Sequence, residues 1–446
     1  MIRKNHALTI GALVVLLVGF VSFSSGWVLA RTFGTTPVDS FVAGIGLSTT
    51  RQQTPTSLRE QFAVFWQVWS LVEGEFYRPE PLDRQSMVYG AIRGMLATLE
   101  DDYTFFQEPE DAALSRESMQ GSFQGIGAYL RLEEGEIVID RLFRNAPAEL
   151  AGLRSGDRIL AVDGEPLAEL IAGLPEGEAT TAAASRIRGP KGTVVTLSIR
   201  RPATGETLEF AITRDEVAIV TVNAELLENG VGYIQITEFK ATTTELLDQA
   251  LRELIPQQPS SLVLDLRNNP GGYLQTAREV LGRFYDGVAL YEQENGGVVQ
   301  ELGTIAGPAD TRLYDIPIVV LINGGSASAA EIVAGALRDG RDHTILVGEK
   351  SFGKGSVQNI HQLRDGSSAR ITVAHWLTPA KSEINQIGIT PEHLVAPSEE
   401  LAYAVPCVAD RRPPEGQERC GDAQLAHGLQ LLATRTLQPT GVPATP

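Results

Sequence analysis

A serine and a lysine fall in two glycine-rich stretches of this chain, Asn323-Gly324-Gly325-Ser326-Ala327-Ser328-Ala329-Ala330-Glu331 and Ser351-Phe352-Gly353-Lys354-Gly355-Ser356-Val357-Gln358. A serine hydroxyl attacks a carbonyl only after a base takes its proton, and a lysine amine can be that base once burial drives off its charge. Lowering a lysine pKa from about 10.4 to near 7 costs about 4 kcal/mol, which a desolvated site can impose. Taken singly, each stretch has a plainer explanation: serine caps helices, and a glycine-flanked lysine sits in a solvated turn. The chemistry depends on what brings them together.

Downstream of residue 217, strand and helix patterns alternate. Strands are predicted over 231–239, 262–266, 316–322 and 344–348, and helices over 242–255, 274–285 and 328–338. Apolar runs such as Leu262-Val263-Leu264 and Ile318-Val319-Val320-Leu321-Ile322 suit strands covered on both faces, so an α/β core with a mainly parallel sheet is expected. Ligands of such sheets bind beyond the carboxyl ends of the strands. Three glycine-bearing loops lie there, at 265–272, 323–328 and 348–354. Ser328 then falls in the first turn of its helix, where N–H groups lack intrahelical acceptors and the dipole favours negative charge. The Ala329 N–H is a natural donor to an oxyanion, with a second from Gly271 or Gly272, where no side chain blocks the backbone. Ser326 reads as the helix cap, and Gln358, on the same face as Lys354, as a group that orients the amine.

The chain has 446 residues, enough for two or three domains. Its net charge of −18 excludes nucleic acid as the main partner. The 24 uncharged, mostly apolar residues 7–30 are long enough to cross a bilayer, and Arg3 and Lys4 before them keep the amino terminus cytoplasmic. They are read as a retained anchor, with a removed signal peptide as the alternative. A Gly/Thr/Ser/Pro-rich stalk follows over 34–56, and a helical region over 57–118 in which Phe62, Phe65, Trp66 and Trp69 recur at helical spacing as packing residues. Cys407 and Cys420 either pair across a short loop or stay free. The six histidines show no HExxH or short-spaced ligand pair, so neither metal nor cofactor is expected.

Over 119–217 the period falls to two, as in Val195, Leu197 and Ile199. The run Asn145-Ala146-Pro147-Ala148-Glu149-Leu150-Ala151-Gly152-Leu153-Arg154-Ser155-Gly156-Asp157-Arg158-Ile159-Leu160 closely resembles a PDZ domain. Just upstream, Gly125-Ile126-Gly127 resembles the loop by which PDZ domains hold a peptide carboxylate, and successive N–H groups in a glycine-permitted turn suit an anion.

Taken together, Ser326-Ala327-Ser328-Ala329, Gly353-Lys354-Gly355, Gln358 and the embedded PDZ pattern resemble the carboxy-terminal processing (tail-specific) proteases over about 58–397. That resemblance implies a serine endopeptidase with Ser328 as nucleophile, Lys354 as general base and Gln358 as its orienter. Arg267, Asn269, Pro270, Gly271 and Gly272 match the oxyanion-side loop. It implies protein or peptide substrates with accessible carboxyl termini, recognised by the PDZ domain, and a catalytic domain outside the cytoplasm; a homo-oligomer is compatible with it. Leu99-Glu100-Asp101-Asp102-Tyr103-Thr104 departs from the family's usual Asp-Pro-His pattern and is read as a packing segment. The layout expected is an anchor or signal at 1–33, a linker at 34–56, a helical region at 57–118, a PDZ domain at 119–217, an α/β protease core at 218–400 and a tail at 401–446. The competing reading is a catalytically silent peptide-binding protein. A Ser-His-Asp hydrolase is excluded by the lack of a Gly-x-Ser-x-Gly elbow.

Overall fold

The computed structural model describes residues 56–78, 80–409, 411, 413–414 and 416–434. The expected membrane segment and nearly all of the stalk lie outside them, and no helix among the described residues is long and apolar enough to cross a membrane. The chain divides into two compact units, Met1–Arg84 and Gln85–Pro446. The first contains helix α1 (Thr56–Glu75). On it Phe65 meets Phe62 and Trp66 edge to face, with ring centroids 5.9 and 5.1 Å apart. Phe62 and Trp66 are exposed, whereas Phe65 and Trp69, which they pack against, are half-buried.

The second unit opens with α2 (Arg84–Ala97), a short strand β1 (Phe105–Gln107) and α3 (Pro109–Gln120). Two short strands, β2 (Ser122–Gly125) and β8 (Asp215–Ala218), pair antiparallel where the chain enters and leaves an inserted β-domain. Inside it, β3 (Ala128–Glu133), β4 (Glu136–Leu142), β5 (Arg158–Val162), β6 (Val194–Arg201) and β7 (Glu206–Thr213) form an antiparallel sheet in that order. The sheet closes over α4 (Glu176–Ile187). The alternation that predicted these strands is the burial pattern: Val195, Leu197 and Ile199 are fully buried with Ile137, Ile139 and Ala183. The Gly-Asp turn is pinned by a buried pair, in which Asp157 accepts two hydrogen bonds from Arg201 at 2.8 and 2.7 Å.

The core is built on a six-stranded sheet ordered β9 (Val222–Leu226), β10 (Val231–Ile236), β11 (Ser261–Asp265), β14 (Ile318–Ile322), β15 (Thr344–Gly348) and β18 (His393–Leu394). All pairs are parallel except β9 with β10. Helices α5 (Thr243–Leu254), α6 (Leu274–Leu281) and α7 (Ala329–Gly340) supply the apolar cluster that holds Leu262, Leu264, Val320 and Leu346. A second, antiparallel sheet joins β1 to β12 (Val288–Glu294), β13 (Val299–Gly303), β16 (Ser356–Gln362) and β17 (Ser368–Leu377). The expectation of a mainly parallel core therefore holds for only one of two sheets. The other escapes prediction because its strands are half exposed, with neither an apolar run nor a clean alternation. Between the two sheets α7 is buried from Ala329 to Leu337, as an all-round apolar helix must be.

The chain after residue 400 is a working part of this fold. Its helix α8 (Ala423–Thr434) puts Leu425, Leu431 and Leu432 against Val263, Val319 and Val347 on the face opposite α7, and Cys407 and Cys420 form a disulfide. Asp422 and Asp265, both buried, clasp Arg267, which bonds Asp422 through Nη1 and Nη2 at 2.9 Å. Replacing Arg267 with Met leaves two buried carboxylates facing each other, and a loss of about 3–5 kcal/mol is expected. Urea unfolding measures it; a midpoint unchanged from the parent would contradict this role.

Candidate active site

Strands β11, β14 and β15 lie side by side and parallel, so the loops after their carboxyl ends meet. The first two loops are laced together. Asn323 Oδ1 accepts from the Asn268 N–H at 2.8 Å, the Ala327 N–H donates to the Asn269 carbonyl at 2.9 Å, and the Ser326 hydroxyl donates to the Leu266 carbonyl at 2.8 Å. Ser326 is thus a cross-loop strut and not the helix cap. Ser328 itself is the residue before α7, with φ 53° and ψ −116°, a backbone region that side chains rarely adopt. Gly271 makes that conformation possible from the other side: a Cβ there would come within 2.8 Å of Ser328 Cβ and 2.9 Å of the Ala329 nitrogen.

Glu331, one turn into α7 and fully buried, joins all the pieces. Its Oε2 accepts from the Ser328 N–H at 2.9 Å and the Lys354 N–H at 2.8 Å; its Oε1 accepts from the Ser351 hydroxyl at 2.6 Å and the Gly353 N–H at 2.7 Å. One carboxylate therefore fixes the backbones of both the serine and the lysine. A buried charge is tolerable here because four donors solvate it. The lysine backbone is held further by Trp376, whose indole N–H donates to the Lys354 carbonyl at 3.1 Å. Gly353 and Gly355 lie flat against the 385–388 loop, where added Cβ atoms would meet the Gly388 nitrogen at 2.8 Å and the Asn385 nitrogen at 2.4 Å.

The Lys354 ammonium lies 4.5 Å from the centre of the Tyr103 ring. Burial first, and the like charge of Arg370 second, lower its pKa from the ordinary lysine value, while Asp101 pulls the other way. The ring face also favours the charged form. The 99–104 segment, expected only to pack, thus supplies two residues that act on this amine. Gln358 sits near the start of β16, where its Nε2 donates to Ser356 Oγ at 2.8 Å and Thr372 Oγ1 at 3.1 Å. Any orienting contact with Lys354 falls to its Oε1.

For an anion beside Ser328, the Ala329 N–H is the first donor of α7, and no protein acceptor takes it among the described residues. The Gly271 N–H is already given to Asn269 Oδ1 at 2.8 Å, whereas the Gly272 N–H is not committed. Gly272 has φ 147°, and a Cβ there would strike the Phe239 carbonyl oxygen at 2.1 Å. No group of three or more metal-ligating side chains occurs among the described residues.

A second recess runs along β3 and α4 of the inserted domain. Ile126, Gly127, Leu130, Ile187 and Arg188 line it, and Ser118 of α3 with Glu238 and Lys240 of the core wall one end. Gly127 takes φ 79°, and a Cβ there would lie 2.3 Å from Ala146 Cβ. Gly125 is not in the recess; it pairs with Asp215 in the β2–β8 ribbon. Strand β3 is an edge of its sheet, free to accept another strand.

Comparison with known proteins finds two family matches in this chain. Peptidase family S41 matches residues 230–395, and a PDZ domain matches 138–201. The chain is 39% identical over 329 residues to the carboxy-terminal processing protease of Bacillus subtilis, covering 72% of this chain and 65% of the relative. It is 37% identical over 345 residues to the carboxyl-terminal-processing protease of Picosynechococcus, covering 76% and 80%. Among solved structures, the photosystem II D1 C-terminal processing protease is similar at 30% identity and a TM-score of 0.45, over 77% of this chain and 87% of that one.

Replacing Glu331 with Gln puts an amide NH₂ against backbone donors, and a loss of about 3 kcal/mol or more is expected. Amide exchange at Gly353 and Lys354 should accelerate at least about 100-fold; unchanged protection there would contradict the clamp.

Proposed function

The chain belongs to the carboxy-terminal processing serine proteases of peptidase family S41, and from that premise we propose how its residues divide the work. Ser328 is the nucleophile. Neutral Lys354 takes the hydroxyl proton as Oγ bonds to the substrate carbonyl carbon, and the resulting ammonium gives that proton to the leaving amine. Water then hydrolyses the acyl-enzyme ester with the same base. The N–H groups of Ala329 and Gly272 receive the oxyanion, because Gly271's is already engaged. Gln358 orients the lysine through its carbonyl oxygen.

The observation that carries this reading is the four-bond Glu331 carboxylate, since it ties the backbone of a strained serine to the backbone of a half-buried lysine. The PDZ groove, at Ile126 and Gly127, holds the substrate's terminal carboxylate, and β3 adds the preceding residues as a strand. The names of the relatives favour turnover over silent peptide binding. We place the catalytic domain outside the cytoplasm, tethered by residues 7–30; the Cys407–Cys420 disulfide supports an oxidising compartment.

Ser328→Ala should abolish cleavage of an unstructured peptide while leaving the unfolding midpoint in place. The base works only when neutral, so kcat/KM should rise with pH through the Lys354 pKa, at a midpoint below the ordinary lysine value of about 10.4. Arg370→Gln removes a like charge and should move that limb to higher pH; a limb that stays put would remove Arg370 from the account. Converting a substrate's terminal carboxylate to an amide should lower kcat/KM about 10-fold or more, chiefly through KM, and equal rates would contradict terminal recognition.

A further inference from the structure

A cleft on the second unit contains two arginines with no counter-ion among the described residues. Arg116 and Ser115 enter it from α3, Arg370 from β17, Gln362 from the end of β16, and Tyr273 from the residue after Gly272. Arg370 donates to Ser115 Oγ at 2.7 Å and lies over the Phe105 ring, but its Nε is buried with no partner. Among the described residues, Arg116 donates to the Gln362 side-chain oxygen. Neither forms an ion pair among the described residues, in a chain that carries 55 acidic residues against 37 basic ones. The contrast with Arg201, Arg267 and Arg283, each clasped by an aspartate, is sharp. Two guanidinium groups lining one cleft with no acid set against them are a receptor for an anion.

The place of the cleft selects the anion. Strand β16 begins two residues after Lys354, and only one of its edges is paired, with β17. The other edge is open to an extended chain running from Gln358 toward Gln362, about 13 Å or four residues of strand. Helix α3 separates the cleft from the PDZ groove: Ser118 lines the groove, while Ser115 and Arg116 line the cleft. Tyr273, next to Gly272, brings the cleft beside the proposed oxyanion donors, so a peptide bridging those donors and the groove crosses this helix.

We propose that Arg116 and Arg370 form a subsite for an acidic side chain of the substrate, on the segment between the scissile bond and the PDZ-bound terminus. The location of the scissile bond rests on the Ser328 and Lys354 assignment above; the binding of the acid does not. The apolar side of Met119 receives the methylenes of a glutamate, and the two guanidinium groups that line the cleft supply charge-assisted hydrogen bonds to its carboxylate.

The test uses the full chain carrying Ser328→Ala and fluorescent peptides of about twelve residues, each with a single Glu or Gln scanned along the segment. Fluorescence anisotropy should show one window, about three to five residues from the bond that the parent enzyme cuts, where Glu binds about 10-fold tighter than Gln. Adding Arg116→Gln or Arg370→Gln should erase that ratio, Arg370→Lys should keep part of it, and Arg116→Glu should turn the preference toward Lys. The ratio should persist in peptides ending in an amide. No Glu window, a window indifferent to both arginines, or a preference that vanishes with the terminal carboxylate would each overturn the proposal. If the parent enzyme cuts none of the peptides but the window persists, the dyad assignment fails and the subsite stands.

Discussion

A single buried carboxylate organises the reactive part of this protein. Glu331 accepts from the Ser328 and Lys354 N–H groups with one oxygen and from Ser351 and the Gly353 N–H with the other. Without it, the loops after β14 and β15 would present unsatisfied donors to the interior. With it, a serine and a lysine 26 residues apart in the chain share one rigid support. The remaining features are conditions for that arrangement: glycine at 271 so that the neighbouring loop can touch Ser328, glycines at 353 and 355 so that the lysine loop lies flat, and a buried α7 to carry the glutamate inward.

Electrostatics at the lysine is a balance of opposed effects. Burial and Arg370 push toward the neutral amine, while Asp101 and the face of Tyr103 favour the ammonium. Such opposed effects suit the role proposed for Lys354, a group that loses and regains a proton in every cycle. The same Arg370 lines the cleft beside α3, so the proposed acid subsite and the Lys354 amine share one guanidinium.

Much of this was legible beforehand where local chemistry dictates structure. Apolar runs located the parallel strands to within a few residues, and glycine-rich loops at their carboxyl ends located Ser328, Lys354, Ala329 and Gly272. Glu331 stood in the quoted motif but looked like an ordinary first-turn acid, since no sequence pattern says that its partners come from residues 351–354. Tyr103 was hidden for the same reason, being some 250 residues upstream of the amine it covers. The antiparallel sheet lacked periodicity because its strands are partly solvated edges, and the tail after residue 400 gave no hint that Asp422 would clasp Arg267.

The central claim is that Ser328 is activated by Lys354. A fluorophosphonate reacts only with a serine whose hydroxyl is deprotonated in place, so its rate of attachment, read by peptide mass spectrometry, isolates that step from substrate binding and release. The account predicts a single adduct on Ser328 that forms faster as pH rises and fails to form in Lys354→Met. An adduct on another serine, or undiminished labelling of Ser328 in Lys354→Met, would contradict it.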